Sequence, residues 1–146
     1  MRSGAYVGHL DSPFDDFADA RLREGIAQAR RQDYAAAEAS FREAGHSHPI
    51  VSKYLLGWLA EQQADRPRAR KLLLALLAEA PEYYQAYVLL GNLALLDGEH
   101  AQAQTHYARA LALNPADHGI RLSQGIAWLE QGLWDLAADA LGMYLR

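Results

Sequence analysis

Apolar and polar positions follow one another along this chain with a helical period. Tyr54 and Trp58, for instance, stand one turn apart and share a face. The segments carrying the pattern are built mainly from Ala, Leu, Glu, Gln and Arg, which favour a helix over a strand. Eight helices are predicted, over residues 18–31, 34–45, 50–63, 66–79, 84–97, 100–113, 118–131 and 134–145. The breaks between them carry turn and capping chemistry. Asp97-Gly98-Glu99 and Gln131-Gly132-Leu133 place a glycine where a helix C-terminus turns left-handed. Asp65 before Arg66-Pro67 reads as an N-cap with proline in the first turn, and Asp117 can cap the helix after Pro115.

The pattern also repeats at a fixed interval, the first thing to seek in a chain of helices. Gly25, Gly57, Gly91 and Gly125 are separated by 32, 34 and 34 residues. Twelve residues after each glycine stands an alanine: Ala37, Ala69, Ala103 and Ala137. Twelve after the first three alanines stand Pro49, Pro81 and Pro115, and four after each alanine comes a large apolar residue: Phe41, Leu73, Tyr107 and Leu141. Four columns in phase imply one helical hairpin repeated four times. Glycine and alanine are expected where its two helices cross closely. The large residue is expected to wedge into the next hairpin, and the proline to close the second helix. The 32-residue interval is localised: Pro49 and Gly57 are eight apart where later pairs are ten apart. A tighter step is expected there, with Ser47 or His48 capping the third helix and Pro49 at its first position.

This arrangement resembles the tetratricopeptide repeat family from Ala18 to the C-terminus. Repeat three carries the resemblance best, through Tyr87, Leu90-Gly91, Gly98, Ala103, Tyr107, Ala110 and Pro115. Repeat one keeps Gly25, Tyr34, Ala37, Phe41, Ala44 and Pro49 but has Arg21 where an aromatic is usual. Repeat two departs further, with Leu76 in place of a small residue and Pro67 in its second helix. The resemblance implies an all-α fold, a right-handed superhelical solenoid of about four hairpins spanning 18–49, 50–83, 84–117 and 118–146. An N-terminal segment, 1–17, lies outside the repeats.

It also implies a concave groove, lined by the first helices, that binds an extended or helical polypeptide. The matching positions are Leu22, Arg23, Ile26 and Arg30; Tyr54, Leu55, Trp58 and Gln62; Gln85, Val88, Asn92 and Leu96; and Leu122, Ile126 and Leu129. The family's carboxylate clamp of Lys, Arg and Asn is not expected, because these sites carry mostly Leu, Ile, Tyr and Val, Asn92 excepted. The groove reads as apolar, with Tyr54 and Trp58 as aromatic anchors. The competing reading packs the same side chains against their own second helices. Arg23, Arg30 and Arg31 form a basic patch that either receives an acidic segment or is a solvated face.

Both ends add apolar residues to the count. Tyr6, Val7, Leu10, Phe14 and Phe17 can cap the first repeat, lie in the groove or pack on a second copy of the chain. Trp134, Leu141, Met143, Tyr144 and Leu145 belong to a last helix with no capping helix after it. That helix is expected to leave an apolar outer side, the mark of an interface, which either self-association in a homodimer or excision of the domain from a longer chain would explain.

Composition narrows the chemistry. Half the residues are hydrophobic (51%), enough for a core. Fourteen basic against 18 acidic residues give a net charge of −4, which disfavours nucleic acid as a partner. There is no cysteine, so no disulfide, thiolate metal site or cysteine nucleophile. Met1 to Leu10 has no apolar stretch of secretory length, and the longest apolar run, Leu72 to Ala78, is far short of the ~20 residues of a membrane span. A cytoplasmic protein without membrane insertion is expected. Of six histidines, His46 and His48 are the closest pair, and none forms the helical pair with a helper glutamate of a zinc protease. No phosphate-binding glycine loop and no nucleophile elbow occurs. Neither catalysis, a cofactor nor a metal is expected. Three functions stay open: an adaptor or scaffold that binds another protein, a chaperone similar to those of bacterial type III secretion, and a regulatory domain of a larger enzyme.

Overall fold

A computed structural model describes residues 19–145, without the side chains of residues 143–145. The segment 1–17 and its apolar residues lie outside the described residues. The helices are α1 (Ala20–Arg30), α2 (Tyr34–Ala44), α3 (Pro49–Gln62), α4 (Arg66–Glu79), α5 (Tyr84–Leu96), α6 (His100–Leu113), α7 (His118–Glu130) and α8 (Trp134–Leu145). There is no strand among the described residues. No helix among them is long and apolar enough to cross a membrane. The chain divides after Pro81 into two compact units of two hairpins each, α1–α4 and α5–α8.

Every hairpin is built on one close helix crossing. Ala37, Ala69, Ala103 and Ala137 each have 0% of their surface exposed, so nothing larger fits there. The opposing glycine is covered by the large apolar residue of its own hairpin. A Cβ on Gly25 would fall 2.4 Å from Phe41 Cε1, and one on Gly91 2.5 Å from Tyr107 Cε1. At Gly57 and Gly125 the nearest atoms are leucine methyls, Leu73 Cδ2 at 3.0 Å and Leu141 Cδ2 at 2.9 Å. This corrects one expectation: the large residue first fills its own hairpin. Phe41 in addition meets Trp58 of the following α3 edge to face, with ring centroids 6.5 Å apart.

The hairpin turns share one hydrogen-bond scheme. In the first, Gln32 N–H donates to Ala29 O (2.9 Å) and Asp33 N–H to Gln28 O (2.9 Å). The same pair of bonds recurs with Ala64 and Asp65, Gly98 and Glu99, and Gly132 and Leu133. These are Schellman closures, which require a left-handed residue just past the helix. Gly98 (φ 75°) and Gly132 (φ 76°) supply it, but so do Gln32 (φ 65°) and Ala64 (φ 60°), where a Cβ makes that conformation costly. The residue that closes the first helix then opens the second. Asp33 accepts from Ala36 N–H (3.4 Å) and Asp65 from Arg68 N–H (3.3 Å), as N-caps.

The short interval between repeats one and two is absorbed by helix length. α2 has 11 residues where α4 and α6 have 14. Pro49 does not close α2; it is the first residue of α3, after His48 as an N-cap whose side chain makes no capping bond. The early end of α2 is secured from α3, where the buried Ser52 hydroxyl donates to the Phe41 carbonyl. His48 Nε2 also stands 3.3 Å from Asp19 Oδ2, the N-cap of α1.

Two stability series follow. Gly91→Ala must move a packed ring, and overpacking outweighs the better helix propensity of alanine, for a net loss of about 1–3 kcal/mol. Gly57→Ala meets only the end of the Leu73 side chain, at 3.0–3.1 Å, and should change stability by less than about 1 kcal/mol; urea titration of both variants checks the pair. At the turns the sign reverses: Gln32→Gly and Ala64→Gly should each stabilise by about 0.5–1 kcal/mol, while Gly98→Ala should destabilise by a similar amount.

Candidate functional site

The first helix of each hairpin presents two equivalent positions, three before and one after its glycine. In the α1–α4 unit these are Leu22 and Ile26 on α1, and Tyr54 and Trp58 on α3, all buried. Leu55 is buried beside them. Trp58, 5% exposed, is fixed by its edge-to-face contact with Phe41. Arg23, Arg30 and Arg31 are exposed and Gln62 is half-buried. Here the predicted groove residues divide into an apolar set that packs and a polar set that meets solvent.

In the α5–α8 unit the same columns diverge. Val88 and Asn92 on α5 are buried, and Gln85 is half-buried. Their counterparts on α7, Leu122 and Ile126, are only half-buried, and Leu129 beyond them is exposed. Those three are spaced by four and three residues and lie on one face of α7. Asn92 has a partner inside its own hairpin, since the Tyr107 hydroxyl donates to its Oδ1 at 2.7 Å. The equivalents of Asn92 are Ile26, Trp58 and Ile126, and those of Tyr107 are Phe41, Leu73 and Leu141, none of which carries a hydroxyl. The one polar side chain in the column thus accompanies the one buried hydroxyl that needs an acceptor.

The outer helices hold features that the columns did not announce. Tyr34, Ala35, Glu38, Ala39, Arg42 and Gln63 line an open depression of about 440 Å³ on α2. Glu38 sits there between Arg42 (3.0 Å) and Arg68 (3.3 Å). The Arg42 hydrogen bond, helped by Arg68, holds its carboxyl below the usual glutamate range. In the third hairpin Tyr87 stacks on His106 (6.4 Å) and lies under Arg109 (5.5 Å). No cluster of three or more metal-ligating side chains occurs among the described residues. Trp134 is exposed and Leu141 half-buried on α8; the side chains of Met143, Tyr144 and Leu145 lie outside the described residues.

A family model described as tetratricopeptide repeat matches residues 54–103 and 97–146, together more than half of the chain. The chain belongs to the tetratricopeptide repeat family. The first hairpin falls outside the matched residues, yet has the same glycine crossing and turn as the other tetratricopeptide hairpins. Its shortened α2 and its proline at the start of α3 shift it out of register. Among solved structures, a crystal structure of MamA has a TM-score of 0.71 at 22% identity, over 96% of this chain and 82% of that one. Residues 41 to the end of MamA from Desulfovibrio magneticus RS-1 give 0.70 at 23%, over 84% and 71%. A further crystal structure of MamA protein gives 0.62 at 18%, over 86% and 88%. At these identities the likeness is one of fold. No curated protein sequence matches the chain.

The Asn92–Tyr107 pair makes its own prediction. Tyr107→Phe removes the donor and leaves the buried Asn92 oxygen short of a partner, which should cost about 1–3 kcal/mol by chemical denaturation. Tyr107→Phe combined with Asn92→Ile, the residue of repeats one and four, should recover most of that loss.

Proposed function

We propose that this chain is a protein-binding module of the tetratricopeptide repeat kind, acting without catalysis as an adaptor or scaffold in a larger assembly. A partner polypeptide lies against the first-helix face of its repeats. The observation supporting this is the face of α7, where Leu122, Ile126 and Leu129 retain exposed surface although their counterparts Val88, Asn92 and Leu95 are buried. An accessible apolar stripe at helical spacing on a rigid hairpin suits an extended or helical segment with apolar anchors. Gln85, half-buried on α5 of the same unit, offers a side-chain amide to the backbone of such a segment. In the α1–α4 unit, Gln62 is half-buried and Arg23 and Arg30 give α1 a basic face suited to an acidic segment. The absence of cysteine and of any membrane-crossing helix among the described residues agrees with a cytoplasmic setting.

Burial guides the choice of test. Trp58→Ala would open a cavity beside Phe41 and cost about 3–5 kcal/mol of stability, so lost binding there would not report on contact. Leu122→Ser with Ile126→Ser changes accessible positions. A cross-linked partner identified by mass spectrometry should be recovered from cells at least about tenfold less with this double variant, a loss of ~1.4 kcal/mol or more. Unchanged recovery by a folded double variant would reject the α7 face.

A further inference from the structure

The turn between α7 and α8 breaks the pattern of the other three. Its residue shared between the two helices is Leu133, where the others have Asp33, Asp65 and Glu99. The next position holds Trp134 instead of Tyr34, Arg66 and His100, and two further on Leu136 replaces Ala36, Arg68 and Gln102. All three substitutions are exposed: Leu133 by 42%, Trp134 by 65% and Leu136 by 46%. They line, with Gly132 and Asp135, a depression of about 330 Å³. A leucine at this N-cap also forgoes the side-chain acceptor that Asp33 and Asp65 provide.

Along the sequence on both sides of that turn, between Arg121 and Arg146, the charge has one sign. From Leu122 to Leu145 the sequence has no Lys, Arg or His but has Glu130, Asp135 and Asp139. Asp135 and Asp139 stand one turn apart on the exposed side of α8, opposite the buried Ala137 and Ala140. At about 100° per residue, Trp134 and Leu136 fall on the two flanks of that aspartate stripe. Neither aspartate forms an ion pair within the described residues. An acidic stripe between two apolar flanks complements a segment that is both apolar and basic.

We propose that this turn docks a basic amphipathic segment of a partner protein, with its apolar side chains on Trp134 and Leu136 and its Lys or Arg residues over Asp135 and Asp139. Among the described residues, basic helix faces offer one exposed leucine each, Leu74 beside Lys71 on α4 and Leu113 beyond Arg109 on α6, and do not fill both flanks. A second copy would meet this face with the same acidic stripe, so charge complementarity selects a different, basic polypeptide as the occupant. The inference rests on the binding-module reading but uses a surface separate from Leu122 and Ile126.

The test uses the full chain and three labelled synthetic helical peptides of one length, Leu-Lys, Leu-Glu and Ser-Lys in composition, read by fluorescence anisotropy. The Leu-Lys peptide should bind at least about tenfold more tightly than the other two. Trp134→Ala with Leu136→Ser should weaken it about tenfold or more. Asp135→Asn with Asp139→Asn should weaken it several-fold and flatten its salt dependence. Leu133→Asn serves as the folding control: it adds an N-cap, so thermal stability should hold or rise while binding falls. Leu122→Ser with Ile126→Ser should leave peptide binding unchanged; loss with that variant alone would move the peptide to the α7 face and reject the turn. Equal binding of Leu-Glu, or Leu-Lys binding indifferent to the turn variants, overturns the proposal. So does a self-association by sedimentation that Trp134→Ala abolishes, which would make a second copy the occupant.

Discussion

Everything in this fold depends on two helices approaching until a glycine backbone meets a side chain from across the hairpin. Helices usually pack 8–10 Å apart, and small residues at the contact permit the near end of that range. Here the glycine of the first helix and the alanine of the second supply the clearance. One large residue, four after the alanine, fills the space over the glycine. The device is the same four times, but its filling differs: a ring in hairpins one and three, a leucine in two and four. The ring packs more tightly and tolerates less. In hairpin three it also brings a hydroxyl into the core, and that hydroxyl selects asparagine on the facing helix. A polar residue at a position that could have bound a ligand is thus explained from within.

The turns show how the same geometry persists when its preferred residue is missing. A Schellman closure needs a left-handed residue, and glycine is the cheapest way to provide one. Gln32 and Ala64 adopt it nonetheless, because two backbone bonds and the packed hairpin on either side over-determine the conformation. The economy of the turn lies in the following residue, which closes one helix and caps the next. Aspartate performs both roles in the first two hairpins. Leucine in the fourth performs only the first.

These facts explain what was legible in the sequence. Small residues and prolines mark backbone geometry, which admits few alternatives, so their columns located the helices to within a few residues. The two-residue deletion was legible too, and with it the seat of Pro49 at the start of α3 after His48. Pro49 keeps its place in the column while it starts a helix instead of ending one; what the column could not show is the Ser52 bond to the Phe41 carbonyl that secures the early end of α2. The hairpin-internal seat of Phe41, Leu73, Tyr107 and Leu141 was hidden for another reason: sequence spacing fixes which helix face a residue occupies, not which of two neighbours it meets there.

The candidate binding positions show the same limit from the functional side. A column that faces inward on every first helix contains Leu22, Tyr54, Val88 and Leu122 alike, and hydropathy does not rank them. Burial does. Three are core, and their substitution would act through stability; the fourth keeps accessible surface and can act through contact. The reverse holds at the last turn, where apolar residues appear in positions that the other repeats give to acids and bases. A repeat protein offers its own internal controls, since each position has counterparts under nearly the same backbone constraint. A residue that departs from its counterparts and is buried has usually answered a neighbour, as Asn92 answers Tyr107. A residue that departs, stays exposed and weakens a cap has no neighbour within the described chain to answer. Leu133, flanked by Trp134 and Leu136, is of that second kind, and the surface it helps to form is where a selective pressure other than folding is best sought.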